Sequence, residues 1–139
     1  MGASFEEKSV WITLLSLLAA FGCYFYCAGA MLAAGVHETI AYLPVFGVFT
    51  ALLVVLIVGG HLAAAIASRP EGRDERDRLI EWRAENNSSW VLGLGVLGAV
   101  FALASPLPTA WVANGLLATL FLSEVVCRSL RIYYYRRGM

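Results

Sequence analysis

The chain has 139 residues, of which 60% are hydrophobic and 14% are charged, and its formal net charge at pH 7 is zero. A soluble domain of this size could not cover its surface with so few polar residues. The composition therefore favours an integral membrane protein, with the lipid bilayer as its surroundings. Ten acidic residues balance the ten basic ones, which argues against nucleic-acid binding because that requires an unbalanced basic face.

Four long apolar runs predict four transmembrane helices. They cover Val10–Leu32, Ile40–Ala67, Trp90–Leu107 and Ala110–Val126, and we expect the fourth helix to continue to Arg131. Each run is near the ~20 residues needed to cross a ~30 Å hydrocarbon layer. The expected fold is therefore an all-α integral membrane protein, a single domain over residues 1–139 in which two helical hairpins are joined by a charged cytoplasmic loop.

The basic residues indicate how these helices are oriented. Lys8 precedes the first run, five arginines lie in the link over residues 69–88, and four follow the last apolar run. The other two links, around residues 35–39 and 105–109, contain neither lysine nor arginine. Because cytoplasmic links carry the excess of positive charge, we predict a multi-pass plasma-membrane protein with both termini and the central link in the cytoplasm.

The first run is expected to be retained as a membrane helix. Its flank contains Glu6 and Glu7, whereas a cleaved export signal needs a basic flank, and the run is longer than the usual 7–15 apolar residues. Cys23 and Cys27 in this run, and Cys127 in the fourth, are interpreted as small packing residues. Soft-metal transport is the alternative, but with this topology Cys27 and Cys127 lie toward opposite faces, so no metal site is expected.

The central link is the most distinctive segment and is a candidate surface for docking a partner. Read as a helix from about Asp74, it carries pairs of opposite charge such as Asp74 and Arg78. The alternative is a solvated, self-paired interfacial helix. Interleaved arginines and the absence of EF-hand spacing argue against a cation site. The candidate docking residues are Arg73, Asp74, Glu75, Arg76, Asp77 and Arg78.

A short motif in this link resembles one found in a known group of proteins. The motif is Asp74-Glu75-Arg76-Asp77-Arg78-Leu79-Ile80-Glu81. It is similar to the Asp-Glu-Arg-Asp/Glu motif in the middle cytoplasmic loop of small four-span prokaryotic membrane proteins of unknown function. The resemblance implies a prokaryotic plasma-membrane protein, and it implies no activity or catalytic residues.

The segment Asn86-Asn87-Ser88-Ser89 is expected to restart the chain as the third helix, with Asn87 or Ser88 as its cap. Within that helix, Gly93, Gly95 and Gly98 match the spacing of a dinucleotide-binding fingerprint, but they lie inside an apolar span instead of after a buried strand. We interpret Gly95 and Gly98 as helix-packing positions, because small residues let another helix approach closely. No cofactor is expected.

Two ionisable residues within the spans form the best candidate site. His61 lies eight residues before Arg69, and Glu124 lies seven before Arg131, so both are about 10–12 Å inside the cytoplasmic end at ~1.5 Å per residue. Such groups often mark proton or substrate paths. The alternative is that Arg128 neutralises Glu124 on its own helix, and that a neutral His61 bonds to a carbonyl.

Two functions remain open from the sequence. One is a non-enzymatic accessory or regulatory subunit, or a homo-oligomer, that acts through helix packing and the charged link, alone or in a larger membrane complex. The other is a small dimeric proton-coupled transporter that uses His61 and Glu124. Few polar residues near mid-membrane favour the first function, because transporters usually need polar or broken-helix positions there. No nucleophile–base pair or metal triad converges, so no enzymatic activity is predicted.

Overall fold

The computed structural model describes residues 5–67 and 74–137. Within these ranges the chain forms four α-helices, and a short 3-10 helix, Thr39–Tyr42, precedes the second. All four α-helices are long and apolar enough to cross a membrane, which confirms the all-α four-helix fold. They are α1, Phe5–Ala33; α2, Leu43–Ala67; α3, Glu75–Leu103; and α4, Thr109–Arg137.

The two central helices are α1 and α4. α1 packs against both α2 and α4, and α3 packs against α4, and these are the main contacts between helices in the described residues. The start of α1, the end of α2, the start of α3 and the end of α4 meet at one end of the bundle, which we call the charged end. The opposite end, where residues 34–42 and 104–108 connect the helices of each hairpin, is the turn end.

Local sequence signals explain where the helices of the first hairpin stop and start. After α1, Gly35 adopts a left-handed conformation with φ of 81°. The backbone N–H groups of Gly35 and Val36 donate to the carbonyls of Leu32 and Met31, which is a Schellman motif that satisfies the last carbonyls of the helix. Pro44 occupies the first turn of α2, where its missing N–H costs little.

The start of α3 differs from the sequence prediction. Asp74 is the N-cap, and its side chain and that of Asp77 form a reciprocal capping box, which satisfies backbone N–H groups that have no partner inside the helix. The helix then continues through Asn87 and Ser88 without a break. The prediction that Asn87 or Ser88 caps a new helix is therefore wrong, because the helix cap is Asp74 and the polar segment that follows Asp74 is already helical.

The turn-end half of the bundle has an aromatic core. Tyr24, Ala28, Tyr42 and Ala110 are its buried centre. Around them pack phenylalanine rings from α1 and α2, of which Phe46 lies 5.9 Å from Tyr24 between ring centroids. Toward the charged end, smaller clusters join α4 to its neighbours. Ile80, Ala84, Cys127 and Tyr134 join it to α3, and Val10, Leu14 and Ile132 join it to α1.

The two candidate packing glycines of α3 have different surroundings. A Cβ atom added at Gly95 would collide with the side chain of Thr119 on α4, so the two helices approach closely there within one chain. A Cβ atom added at Gly98 would meet no atom within 4 Å. Gly98 instead borders an apolar groove of about 370 Å³ between α3 and α4, which is also lined by Ala99 and Trp111.

Candidate functional site: the charged end of the bundle

The charged link that follows α2 becomes a helix that packs on α4. Residues 75–89 are the polar first half of α3, and they lie against residues 123–137 of α4. We call these two segments together the α3–α4 platform. The sequence predicts a charged link over residues 69–88 that can be read as a helix from about Asp74, and from residue 75 onward this region is regular helix.

A buried ion pair lies at the centre of the platform. The Arg131 Nη2 atom lies 3.0 Å from the Glu81 Oε1 atom, and only 5% of the arginine side chain is exposed. A buried guanidinium needs a carboxylate partner because leaving it unpaired would cost several kcal/mol. The ion pair with Glu81 therefore fixes the position of α3 along the axis of α4.

Asp77 connects the start of α3 to the end of α4. Its Oδ2 atom accepts a hydrogen bond from the backbone N–H of Asp74 at 3.1 Å, and its Oδ1 atom accepts one from the Tyr135 hydroxyl at 3.0 Å. One carboxylate thus completes the capping box and attaches the first turn of α3 to α4. The exposed charge of this segment is carried by its neighbours Glu75, Arg76 and Arg78.

Two further hydrogen bonds attach the inner part of the platform. The Asn87 side-chain amide donates to the Tyr134 hydroxyl at 2.8 Å, and the Ser123 hydroxyl donates to the Ser88 carbonyl at 3.2 Å. With the ion pair and the Asp77 contact, these bonds join α3 to α4 over about three helical turns. The platform is therefore held by polar contacts where the helices leave their apolar segments.

The outer surface of the platform combines apolar side chains with both basic and acidic ones, Asp74 and Glu75 among them. Leu79 and Trp82 are 66% and 65% exposed, although they belong to the charged half of α3. A shallow depression of about 450 Å³ lies beside them, with Arg76 and Arg83 also on its wall and Tyr134 from α4. Of the candidate docking residues, Asp74 and Asp77 are used in the capping box, and Arg73 lies outside the described residues.

His61 has partners on α1 and on its own helix. Its Nδ1 atom lies 2.8 Å from the Ile57 carbonyl oxygen, and its Nε2 atom lies 2.8 Å from the Ser9 hydroxyl. Because a carbonyl oxygen can only accept, Nδ1 donates, and in the neutral ring Nε2 accepts from Ser9. The carbonyl-bonded alternative considered for His61 is thus the arrangement observed.

Glu124 is paired with Arg128, one turn along α4. Their Oε2 and Nη2 atoms are 3.0 Å apart, with 43% and 25% of the two side chains exposed. α1 lies between α2, which carries His61, and α4, which carries Glu124. The hydrogen bonds of His61 and the ion pair of Glu124 do not connect the two residues within the described chain, so the structure does not bring them into one site.

We expect the stability effects of His61→Ala and Glu124→Gln to add, because the two side chains have separate partners. Their combined effect on the free energy of unfolding in detergent micelles should equal the sum of the single effects within about 0.5 kcal/mol. As a positive control, Ser9→Ala and His61→Ala should be non-additive by roughly 0.5–1.5 kcal/mol, since they remove the same hydrogen bond. A coupling between His61 and Glu124 as large as that control would contradict this separation.

The cysteines remain apart. Cys127 is buried in the cluster with Ile80 and Ala84, whereas Cys23 is exposed and Cys27 half-buried on α1. In residues 5–67 and 74–137, no group of three or more His, Cys, Asp or Glu side chains is placed to hold a metal ion.

A buried polar pair in the turn-end half was not identified from the sequence. The Tyr24 hydroxyl donates to the Asn114 Oδ1 atom at 2.8 Å, and the Asn114 amide donates to the Ala110 carbonyl at 2.8 Å. Asparagine within an apolar span was the available signal, because such a group needs a partner. The pair stabilises the contact between α1 and α4 without leaving a free polar group there.

No protein-family model, curated protein or solved structure matches this chain. The geometry of the charged end is therefore the basis on which a function can be argued.

Proposed function

We propose that this protein is a non-enzymatic accessory or regulatory membrane protein that binds a partner protein through its α3–α4 platform. The charged end would lie in the cytoplasm of a prokaryotic plasma membrane, in keeping with the distribution of basic residues. The observation that carries the proposal is an exposed apolar pair, Leu79 and Trp82, on a helix held rigidly by buried polar contacts.

The chemistry of this surface supports protein binding. Tryptophan and arginine are enriched among the residues that dominate binding energy, and a polar rim commonly surrounds them. Leu79 and Trp82 lie beside Arg76 and Arg83. Because Arg131 and Glu81 hold the helix in place, little conformational freedom would be lost on binding, which favours affinity. The partner we expect has an apolar pocket that receives the Trp82 ring.

The polar groups in the spans support an accessory role over the proton-coupled transporter. Tyr24 bonds to Asn114, His61 to Ser9, and Glu124 to Arg128. Each polar group is bonded within its own pair, and the three pairs do not link into a continuous polar path among the described residues. In addition, α2 and α4 are unbroken helices, whereas transporter sites are typically built from interrupted ones.

Trp82→Ala is expected to reduce the amount of copurifying partner at least tenfold when the protein is isolated from native membranes in mild detergent. Truncating a central interface tryptophan commonly costs more than about 2 kcal/mol of binding free energy. The matched control is Trp111→Ala, since Trp111 is 50% exposed but lies at the turn end. Equal recovery of the same partner with both variants, or no partner with the wild-type protein, would contradict the proposal.

A further inference from the structure

The polar half of α3 extends well toward the turn end, and contacts between helices show how far. The Ser123 hydroxyl bonds to the Ser88 carbonyl, so these residues of α4 and α3 lie at one level. Phe121, two residues nearer the turn end on α4, packs on Phe21 of α1 with the ring centroids 5.4 Å apart. Ser88 is therefore level with about residue 19 of α1.

The corresponding level on α2 follows from its contact with α1. A Cβ atom added at Gly60 would collide with the Ile12 side chain, so these two residues are level. Residue 19 is seven residues further toward the turn end, and the antiparallel α2 reaches that level at Leu53. From Leu53 to Ile66, α2 continues for about 20 Å toward the charged end at ~1.5 Å per residue.

Between this level and the charged end, α2 and α3 expose different side chains. The large side chains that α2 exposes there are apolar, namely Val54, Val55, Leu56, Val58, Leu62 and Ile66. The side chains that α3 exposes there are mostly polar and include Arg83, Glu85, Asn86 and Asn87. On α4, the partly exposed pair of Glu124 and Arg128 lies in the same range. At equal height the surface is thus apolar beside α2 and polar beside α3 and α4.

At the turn end, the two hairpins stop at the same level. Tyr42, just before α2, and Ala110, at the start of α4, belong to one buried cluster. Measured from this end, the apolar residues 43–66 of α2 extend about 35 Å, whereas the apolar residues 90–103 of α3 extend about 20 Å. Because a hydrocarbon layer is ~30 Å thick, α3 is short by about 10 Å, and the shortfall lies at the charged end.

Two exposed tryptophans also indicate a short span on this side of the bundle. Trp90 on α3 and Trp111 on α4 are 61% and 50% exposed. Trp111 is twelve residues from Ser123 along α4, and Trp90 is two residues nearer the turn end than Ser88, so about 15 Å of height separates the two tryptophans. Since tryptophan prefers the boundary between hydrocarbon and headgroups, this separation indicates an unusually thin hydrocarbon layer.

Neither tilting nor long side chains can correct this mismatch. Tilting the bundle shortens the projection of α2 on the membrane normal, but it cannot lengthen that of α3. Long basic side chains can extend from the hydrocarbon to the headgroups, whereas Asn86 and Ser89 are too short to cover about 10 Å. The remaining adjustment is local thinning of the bilayer, which a short apolar span produces.

We propose that residues 85–89 of α3 bind the phospholipid headgroups of the leaflet at the charged end, and draw them about 10 Å toward the turn end. In the proposed orientation this is the cytoplasmic leaflet. The segment suits zwitterionic headgroups, because the Asn86 amide and the Ser89 hydroxyl can donate to a phosphate while the Glu85 carboxylate accepts from an ammonium group. Glu124 and Arg128, near the same level, are then hydrated.

This inference goes beyond the proposed function and does not depend on it. Headgroups at residues 85–89 leave Leu79 and Trp82 on the cytoplasmic side of the headgroup layer. In a bilayer of ordinary thickness, the headgroups would surround these two side chains. Thinning therefore makes the outer surface of the platform accessible from the cytoplasm.

Labelling of single cysteines with a charged, water-soluble maleimide would locate the local boundary. The full-length protein, with its three native cysteines replaced by alanine, would be placed one copy per nanodisc of dioleoyl phosphatidylcholine. Asn86→Cys should react roughly tenfold faster than Val55→Cys, because the reactive thiolate forms in water and not in hydrocarbon. Val55 is the matched control, since it is 67% exposed and lies two residues from Leu53, at the level of Asn86. Equal rates at the two positions would overturn the proposal.

Bilayer thickness provides a second test that does not depend on labelling. Thermal stability would be measured in nanodiscs made from phosphatidylcholines of increasing chain length. Replacing Glu85, Asn86 and Ser89 together by leucine should move the thickness of maximum stability upward by about 7 Å, the rise of five residues. Glu75→Leu removes a carboxylate about 15 Å nearer the charged end on the same helix and should leave this optimum unchanged. The same optimum in the wild-type protein and the triple variant would contradict thinning.

A photoreactive cross-linker at position 86 in native membranes would distinguish headgroups from a protein. Cross-links to phospholipid would support the proposal. Cross-links mainly to a protein, whether a second copy or another chain, would assign residues 85–89 to that protein and overturn the proposal.

Discussion

Replacing Glu81 by glutamine should lower the free energy of unfolding by about 3–5 kcal/mol, because it removes the charge that compensates a buried guanidinium. Arg131 is only 4% exposed, and the Glu81 carboxylate lies 3.0 Å from it. The glutamine amide is nearly the same size, so lost packing would contribute little. Reversible unfolding in mixed micelles, followed by circular dichroism, would measure the change.

The matched control for this prediction is Glu7→Gln. Glu7 also faces an arginine at the charged end, but its Oε1 atom lies 3.7 Å from Arg136, whose side chain is 67% exposed. The Glu7 side chain is 17% exposed, but the guanidinium of Arg136 is largely solvated and so is not left uncompensated, and we expect a cost of about 0–1 kcal/mol. If Glu81→Gln and Glu7→Gln cost the same, the Arg131 pair would not be a buried one, and the platform would lack the rigidity that we assign to it.

Replacing Gly95 by leucine is expected to destabilise the bundle by about 1–3 kcal/mol through overpacking. Any Cβ atom at this position collides with the Thr119 side chain, and Thr119 cannot move away freely because its hydroxyl is bonded to the Leu116 carbonyl at 2.9 Å. α3 and α4 would have to separate at their closest approach. The free energy of unfolding in micelles is again the measurement.

Gly98→Leu is the control for that substitution. It makes the same change one turn away on the same helix, but a Cβ atom there meets nothing within 4 Å, and the side chain can enter the adjoining groove. We expect the free energy of unfolding to change by less than about 1 kcal/mol, because the better helix propensity of leucine partly offsets any cost of the larger side chain. A loss at Gly98 as large as that at Gly95 would contradict this account of the close approach.

Hydropathy alone was sufficient to predict the number of helices, because a bilayer requires nearly continuous apolar runs. The limits of α3 and α4 could not be predicted in the same way. Beyond the apolar run, α3 is stabilised by the capping box of Asp74 and Asp77 and by packing on α4. Such tertiary support outweighs the local tendency of Asn87 and Ser88 to start a helix.

The partners of polar groups were also beyond what spacing could predict. Counting residues from the ends of the apolar runs suggested that His61 and Glu124 could meet, but such a count does not fix how the helices are offset along the bundle. His61 bonds to Ser9, beside Val10, and Val10 packs with Ile132, which is eight residues, or ~12 Å, from Glu124 along α4. The order of packing places α1 between their helices, and Ser9 in the first turns of α1 becomes the partner of His61. The Glu124–Arg128 pair was predictable as an alternative because it depends only on spacing within one helix.

The packing contact between α1 and α4, which joins the two hairpins and is called the seam here, has a consequence for biosynthesis. Each hairpin is made of helices that are consecutive in the chain, whereas the seam joins the first helix to the last. During translation, α1 and α2 can associate early, but the acceptor of the Tyr24 hydroxyl is Asn114 on α4. The first hairpin alone therefore lacks the acceptor that Tyr24 uses in the complete fold, and we expect insertion of the final helix to be the step that supplies it.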